Sequence, residues 1–219
     1  MSEFSEIEEM YLKRMFEVHS QTPDAIVKTT QLAEIMGISP ASVTEMIQRL
    51  SDRGMVTHIP YRGSRLTPEG FQLAASIKRR EYLLQILLSD VIGYKGNVKD
   101  VACKMEHAVE HDLEATIDRF LGYPELAADG SRIPGVHRAV EPMGIGSLLP
   151  VGAIPEGTSA SVEVILASEV EAVTLKSIGI VVGSKLSNLN GEISIDGNRC
   201  EFSPGMAMKV LVRVTEMEA

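Results

Sequence analysis

Residues 29–67 read TTQLAEIMGISPASVTEMIQRLSDRGMVTHIPYRGSRLT, and this stretch decides the architecture of the N-terminal third. Thr29 and Thr30 offer a cap ahead of a helix over 31–36. Gly37 closes that helix, because glycine enters the left-handed conformation of a helix end without steric penalty. Ser39 then supplies an N-cap with Pro40 at the first helical position, where a missing N–H is no loss. Val43, Met46, Ile47 and Leu50 keep helical spacing as far as Gly54. Residues 55–60, 61–64 and 65–67 read as strand, tight turn and strand. Helix, glycine turn, helix and basic hairpin together predict a winged helix-turn-helix.

Working outward, Met10, Leu12, Met15, Phe16 and Val18 predict an amphipathic helix over 10–19. Pro68-Glu69-Gly70 leads into a helix through 73–88, residues 90–96 break it, and a second helix is expected over 98–121. These helices carry more apolar positions (Leu83, Leu84, Ile86, Leu87, Leu88, Val101, Met105, Val109, Leu113, Ile117, Phe120) than one isolated pair can hide. A homodimer is the natural sink for that surface. Residues 123–155 are punctuated by proline and glycine and read as a tether. Beyond it, strand-like runs at 161–165, 179–182, 192–195 and 209–214 are separated by Gly183 and the hairpin signals Asn190-Gly191 and Asp196-Gly197. The expected fold class is therefore α+β and multidomain. Its parts are a winged helix-turn-helix at 1–70, a helical metal-binding and dimerisation domain at 71–140, a Pro/Gly-rich linker at 141–155, and a small SH3-like β-barrel at 156–219.

Composition narrows the function classes. The 219 residues are 44% hydrophobic and 23% charged, ordinary for a globular chain with a real core. No apolar stretch approaches a membrane span, the N-terminus is acidic rather than signal-like, and two distant cysteines make no disulfide framework. The expected compartment is the cytoplasm, with no membrane partner. A net charge of −9 exerts no global pull on nucleic acid, so contact with double-stranded DNA must come from a local surface. The front of the second helix of the motif offers Ser39, Ala41, Ser42, Thr44, Glu45 and Gln48. Hydroxyls there permit close approach, and Ala41 suits a thymine methyl. Arg49, Arg62 and Arg65 are the expected phosphate neutralisers, unless Arg49 pairs with Glu45 four residues earlier. The run Lys78-Arg79-Arg80 reads as a solvated face.

Residues 103–107, Cys-Lys-Met-Glu-His, put Cys103, Glu106 and His107 at i, i+3 and i+4, on one face of a helix. Thiolate, carboxylate and imidazole together suit a late first-row divalent metal. No phosphate loop, nucleophile elbow or additional general base accompanies the cluster, so an enzyme is not expected.

Winged helix, helical pair with a Cys-x-x-Glu-His face, tether and small barrel resemble, in that order, the diphtheria-toxin-repressor family of iron-dependent regulators. The resemblance is carried by Glu9-Met10-Tyr11-Leu12, Leu66-Thr67-Pro68-Glu69-Gly70 and Ala102-Cys103-Lys104-Met105-Glu106-His107. It implies a metal-activated homodimeric repressor acting on a palindromic operator. It also adds Met10 to Cys103, Glu106 and His107 as the principal metal ligands. The implied metal is Fe(II), with Ni, Co, Mn or Zn as substitutes in vitro. The resemblance further places Glu81, Gln85 and Lys99 where the family builds an ancillary metal site, with Glu169 and Glu171 in the segment that would complete it. A lysine ammonium repels a cation, so a Glu81–Lys99 ion pair is expected there instead. The alternative reading is a manganese-responsive or metal-independent winged-helix regulator with a vestigial cluster.

Overall fold

A computed structural model describes residues 4–23, 25–136, 138 and 140–217. The chain forms two compact units interleaved along the sequence. One comprises Met1–Glu81, Cys103–Glu110 and Ile133–Arg138, the other Tyr82–Ala102, His111–Arg132 and Ala139–Ala219. The helix-turn-helix motif and the Cys103–His107 turn thus share one unit.

In the first unit, α1 (Glu6–Gln21) starts four residues earlier than its apolar pattern, because Ser5 and Glu8 form a capping box. Glu8 Oε2 accepts from the Ser5 amide at 2.8 Å, and the Glu8 amide donates back to Ser5 Oγ at 3.4 Å. Helix α2 (Thr29–Met36) ends on Gly37 at φ +66°, and α3 (Pro40–Asp52) begins on Ser39, whose hydroxyl accepts from the Ser42 amide at 3.2 Å. Strands β1 (Val56–Ile59) and β2 (Gly63–Leu66) pair antiparallel with Ile59 opposite Gly63, forming the wing. Leu12, Met15, Val43, Leu50 and Val56 meet in one core, each buried side chain of this kind contributing about 1.5–3 kcal/mol.

The wing leads into α4 (Pro68–Ile86), which runs on through a π turn at Leu87–Val91. Thr67 joins the two: its hydroxyl accepts from the Gly70 amide at 3.0 Å and donates to Gly54 O at 2.8 Å, while its amide donates to Met55 O at 3.0 Å. The helix expected over 98–121 is instead α5 (Val98–Met105), a 3₁₀ turn (Glu106–Ala108) and α6 (His111–Phe120). The cause is tertiary. Arg80 Nη1 donates to Glu106 O at 3.2 Å and to Val109 O at 2.9 Å, so these carbonyls find a side-chain donor where a continuing helix would have supplied amides.

That finding overturns the reading of Lys78-Arg79-Arg80 as a solvated face; all three are buried. Lys78 bonds Glu17 at 2.8 Å and Glu81 at 3.0 Å, and Arg79 donates to Val136 O at 2.6 Å. Burial works against the Lys78 charge, but the Glu17 and Glu81 carboxylates outweigh it and raise its pKa.

The second unit carries a six-stranded antiparallel sheet in the order β3-β8-β4-β5-β6-β7. Its strands are β3 (Leu148–Pro150), β4 (Thr158–Ile165), β5 (Lys185–Leu189), β6 (Glu192–Ile195), β7 (Asn198–Arg199) and β8 (Val210–Met217). Strand β3 falls inside the stretch expected as linker and pairs with β8, Leu149 opposite Val212. The strand expected at 179–182 is a turn, and the segment before it is a helix, α7 (Glu169–Ser177). A short α8 (Pro204–Ala207) precedes β8. Val162, Leu175, Ile180, Leu186, Val210 and Val212 close over one core. The architecture of winged helix, helical region and C-terminal antiparallel sheet is the one expected.

Helix α7 is anchored by Glu171, which completes a capping box with Ser168 and accepts from Lys209 Nζ at 2.6 Å. The Lys209 ammonium and the Ser168 donors hold its pKa at about 2, below the usual 4.5. A depressed carboxylate stabilises the fold fully above its unfolded pKa, and that contribution disappears as pH falls from 4.5 towards 2. The expected result is that Glu171→Gln lowers the melting temperature at pH 6, and that the gap from wild type narrows steadily between pH 4.5 and 2.5. Thermal melts followed by circular dichroism across that range check it.

Candidate DNA-reading surface and metal centre

Helix α3 sorts its residues by face. Val43, Ile47 and Leu50 are buried, while Ser39, Ala41, Ser42, Thr44, Glu45, Gln48 and Arg49 are exposed. Every helix residue named for DNA contact therefore lies on the outward face of one capped helix. Thr44 Oγ1 donates to Pro40 O at 2.9 Å and Gln48 Nε2 to Asp52 Oδ1 at 2.9 Å, which orients both side chains along the helix. Arg62 at the wing turn and Arg65 on β2 are exposed beside it. Tyr61, at φ +63° and fully exposed, forms the tip.

Arg49 does not turn to Glu45. Its Nη2 pairs with Glu8 Oε1 of α1 at 2.9 Å, and Arg53 Nη1 reaches the same oxygen at 3.0 Å. Burial of Glu8 works against its charge, but the Ser5 amide and hydroxyl and the two guanidinium groups more than offset that and hold its pKa at about 2. One carboxylate thus ties the first helix to the recognition helix.

Its neighbour in sequence ties the same helix to the Cys103–His107 turn. His107 Nδ1 donates to Glu9 Oε2 at 2.6 Å, and both side chains are almost fully buried. An ionised carboxylate only accepts, so this bond makes Nδ1 the donor, while Nε2 lies 3.5 Å from Glu106 Oε1. Glu106 is fully buried, and its second oxygen, Oε2, has no hydrogen-bond partner. Cys103, at the end of α5, is partly buried with a free thiol, and Met10, next to Glu9 on α1, is half-buried. An orphaned buried carboxylate oxygen beside an oriented imidazole and a thiol fits a divalent cation; a buried polar atom is otherwise costly.

The same place also holds a cation of the chain's own. Lys13, one turn after Glu9 on α1 and fully buried, bonds Glu106 Oε1, lies 3.3 Å from Cys103 Sγ, and pairs with Glu81 Oε2 at 3.1 Å. Burial would lower its pKa, but the Glu106 and Glu81 carboxylates and the sulfur of Cys103 prevail and raise it, so the ammonium persists. Burial pushes the Glu106 carboxyl up against the opposing pull of Lys13. Among the described residues no three His, Cys, Asp or Glu side chains converge into a cage, and Lys13 stands among the donors that would.

The expected Glu81–Lys99 pair is replaced. Glu81 is buried against Lys13 and Lys78, whereas Lys99 is exposed on α5. Glu171 is likewise committed to capping α7 and to Lys209. Sequence reasoning missed Lys13, Glu8 and Glu9. Spacing gave a signal for Lys13 only: it lies three residues beyond Met10, on the face of α1 that Met10 was expected to present.

Comparison with known proteins matches two consecutive stretches of the chain. The family description "Iron dependent repressor, N-terminal DNA binding domain" matches residues 3–64, and "Iron dependent repressor, metal binding and dimerisation domain" matches residues 67–135. The diphtheria toxin repressor of Corynebacterium glutamicum is 27% identical, over 99% of this chain and 100% of its own length. An HTH-type transcriptional regulator of Methanocaldococcus jannaschii is 31% identical over 52% of this chain and 90% of its own. Among solved structures, a manganese-dependent transcriptional repressor in complex with manganese is 29% identical, with a TM-score of 0.54 over 94% of this chain and 99% of its own. On these matches, and with its reading helix and its sulfur, carboxylate and imidazole donors in one unit, the chain belongs to the iron-dependent repressor family of metal-dependent, DNA-binding transcriptional regulators.

Proposed function

We infer that this chain is a homodimeric cytoplasmic repressor whose affinity for a palindromic operator is raised by ferrous iron, held by Met10, Cys103, Glu106 and His107. The observation that carries the reading is the pair of links made by α1. Glu9 grips His107 of the metal turn, and the adjacent Glu8 grips Arg49 and Arg53 of the recognition helix. Whatever fixes α1 against the Cys103–His107 turn therefore also bears on the pose of the reading face. When bound, the metal would supply a positive centre common to the donors of α1 and of that turn. Glu9 would hold the His107 ring with Nδ1 donating to it and Nε2 turned to the metal, and the orphaned Glu106 Oε2 has an electron pair to give. Without that centre the pose suited to DNA is one among several, which lowers apparent affinity. In a dimer, two such helices roughly 34 Å apart would match successive major grooves. Ser39, Ala41, Ser42, Thr44, Glu45 and Gln48 then face base edges and sugars, and Arg49, Arg62 and Arg65 face phosphates.

Manganese is the second reading, favoured by the name of the 29%-identical solved repressor. A thiol and a thioether in the donor set favour iron, because manganese prefers oxygen and nitrogen. The test is fluorescence anisotropy with operator DNA at fixed salt, in chelator, then with anaerobic Fe(II) or Mn(II). Iron is expected to tighten binding at least about tenfold and manganese less, as a population shift of this kind allows. Equal affinity in chelator and metal would overturn the reading.

A further inference from the structure

Lys13 is a buried ammonium with three donors and three acceptors: Glu106 Oε1, Cys103 Sγ at 3.3 Å and Glu81 Oε2 at 3.1 Å. Two of the three are the side chains assigned to the metal. The third, Glu81, is not, and it lies on α4, where Lys78 also contacts it at 3.0 Å. We propose that Lys13 is the counter-cation of the metal-free centre and that it withdraws from Cys103 and Glu106 onto Glu81 when the centre is loaded. This rests on the metal reading above and adds to it a residue that sets how much metal is needed.

The physical argument is one of charge and satisfaction. Glu106, Glu81 and Glu9 are each almost fully buried in one unit, and an uncompensated carboxylate there would be strongly unfavourable. Lys13 compensates two of them at once, so the turn at residues 103–107 is held against α1 without metal. The same contacts put a fixed positive charge where a dication must enter. A dication on Cys103 Sγ and the unpartnered Glu106 Oε2 would sit beside the ammonium, and like-charge repulsion in this buried place drives the ammonium off those two side chains. A flexible four-carbon stem already within 3.1 Å of Glu81 needs only to release two acceptors and keep the third. The site then behaves as an exchange of cations rather than as an open cage, which accounts for the lack of a convergent donor set among the described residues.

The test uses the full-length protein and Co(II), read by the sulfur-to-cobalt charge-transfer absorption that reports ligation by Cys103. Metal-free and cobalt-loaded melting temperatures are read alongside it. Lys13→Met is expected to tighten cobalt binding about tenfold or more, since a buried like charge within about 4 Å is removed. It should also lower the metal-free melting temperature, so that the rise on adding cobalt exceeds that of wild type. Glu81→Gln is expected to weaken cobalt binding about tenfold, because Lys13 loses the place to which it withdraws. Glu17→Gln removes a nearby negative charge that bonds Lys78 and Arg14, and it should change binding less than about twofold. Unchanged or weaker binding in Lys13→Met overturns the proposal, as does an equal loss in Glu81→Gln and Glu17→Gln, which would mean simple attraction through space. Should Lys13→Met be unfolded without metal, folding on addition of cobalt supports the exchange, and the Glu81 and Glu17 pair decides it independently. A wild-type chain that gives no charge-transfer band overturns the metal reading itself, and this proposal with it.

Discussion

His107→Ala is expected to abolish the tightening of operator binding by ferrous iron and to weaken metal binding about 100-fold or more. Even the outer partner of a metal-bound histidine is worth about 10–100-fold in affinity, and His107 is the ligand itself. The structure orders the two effects. Glu9→Gln leaves the imidazole in place but removes the carboxylate that fixes its tautomer through the 2.6 Å bond to Nδ1. It should therefore fall in the range of about 10–100-fold and retain part of the response. His107→Ala also removes one buried hydrogen bond, a loss of about 1–3 kcal/mol, small enough for the unit to stay folded. Anisotropy titrations with iron at fixed salt, with circular dichroism as the folding control, measure all three proteins. A folded His107→Ala that still responds to iron would remove this cluster from the mechanism.

The second large effect is on stability. Gly70→Ala should destabilise the DNA-binding unit by about 3 kcal/mol or more, at the upper end for inserting a single methyl group. A Cβ at Gly70 would lie 1.9 Å from Met55 O and 2.8 Å from Met55 C. Neither side can yield cheaply. Met55 O accepts from the Thr67 amide, the Met55 amide donates to Leu50 O, and the Gly70 amide is held by Thr67 Oγ1. The gain in helix propensity from alanine, about 1 kcal/mol, is the smaller term and does not reverse the sign. For a chain of this size the melting transition should fall by roughly 10 °C. Gly205→Ala, in α8 with nothing within 4 Å of the added carbon, should shift it little. Comparable melts for the two variants would mean that the wing and α4 separate more easily than their bonds indicate.

Much of this was legible beforehand because it is local. Gly37, Ser39 and Pro40 announce their helix ends by chemistry that acts within a turn, and α2, α3 and the wing formed where those residues put them. The three donors of the cluster were legible from spacing, although they span the end of α5 and a 3₁₀ turn rather than one helical face. What escaped is tertiary or easily misread. Nothing within residues 98–121 breaks a helix; the break comes from Arg80, 26 residues before Glu106. Lys78, Arg79 and Arg80 look like a solvated run until the buried acids and carbonyls that surround them are known. Helix α7 carries a local signal, the Ser168-x-x-Glu171 capping box, in a segment whose glutamates also read as candidate ligands. Lys13 had only its spacing from Met10 to announce it, and a lysine beside candidate metal ligands is normally counted as surface.

The clasp of Glu8 on Arg49 and Arg53 has a kinetic consequence. The three side chains together present a single net positive charge, on a chain whose formal charge is −9. Such a molecule is poorly drawn to a polyanion from a distance, so encounter with DNA is slow and random sites hold it weakly. Discrimination then rests on how long a well-posed repressor stays at its operator rather than on how fast it arrives. A repressor built this way searches lightly and commits only after its pose is set.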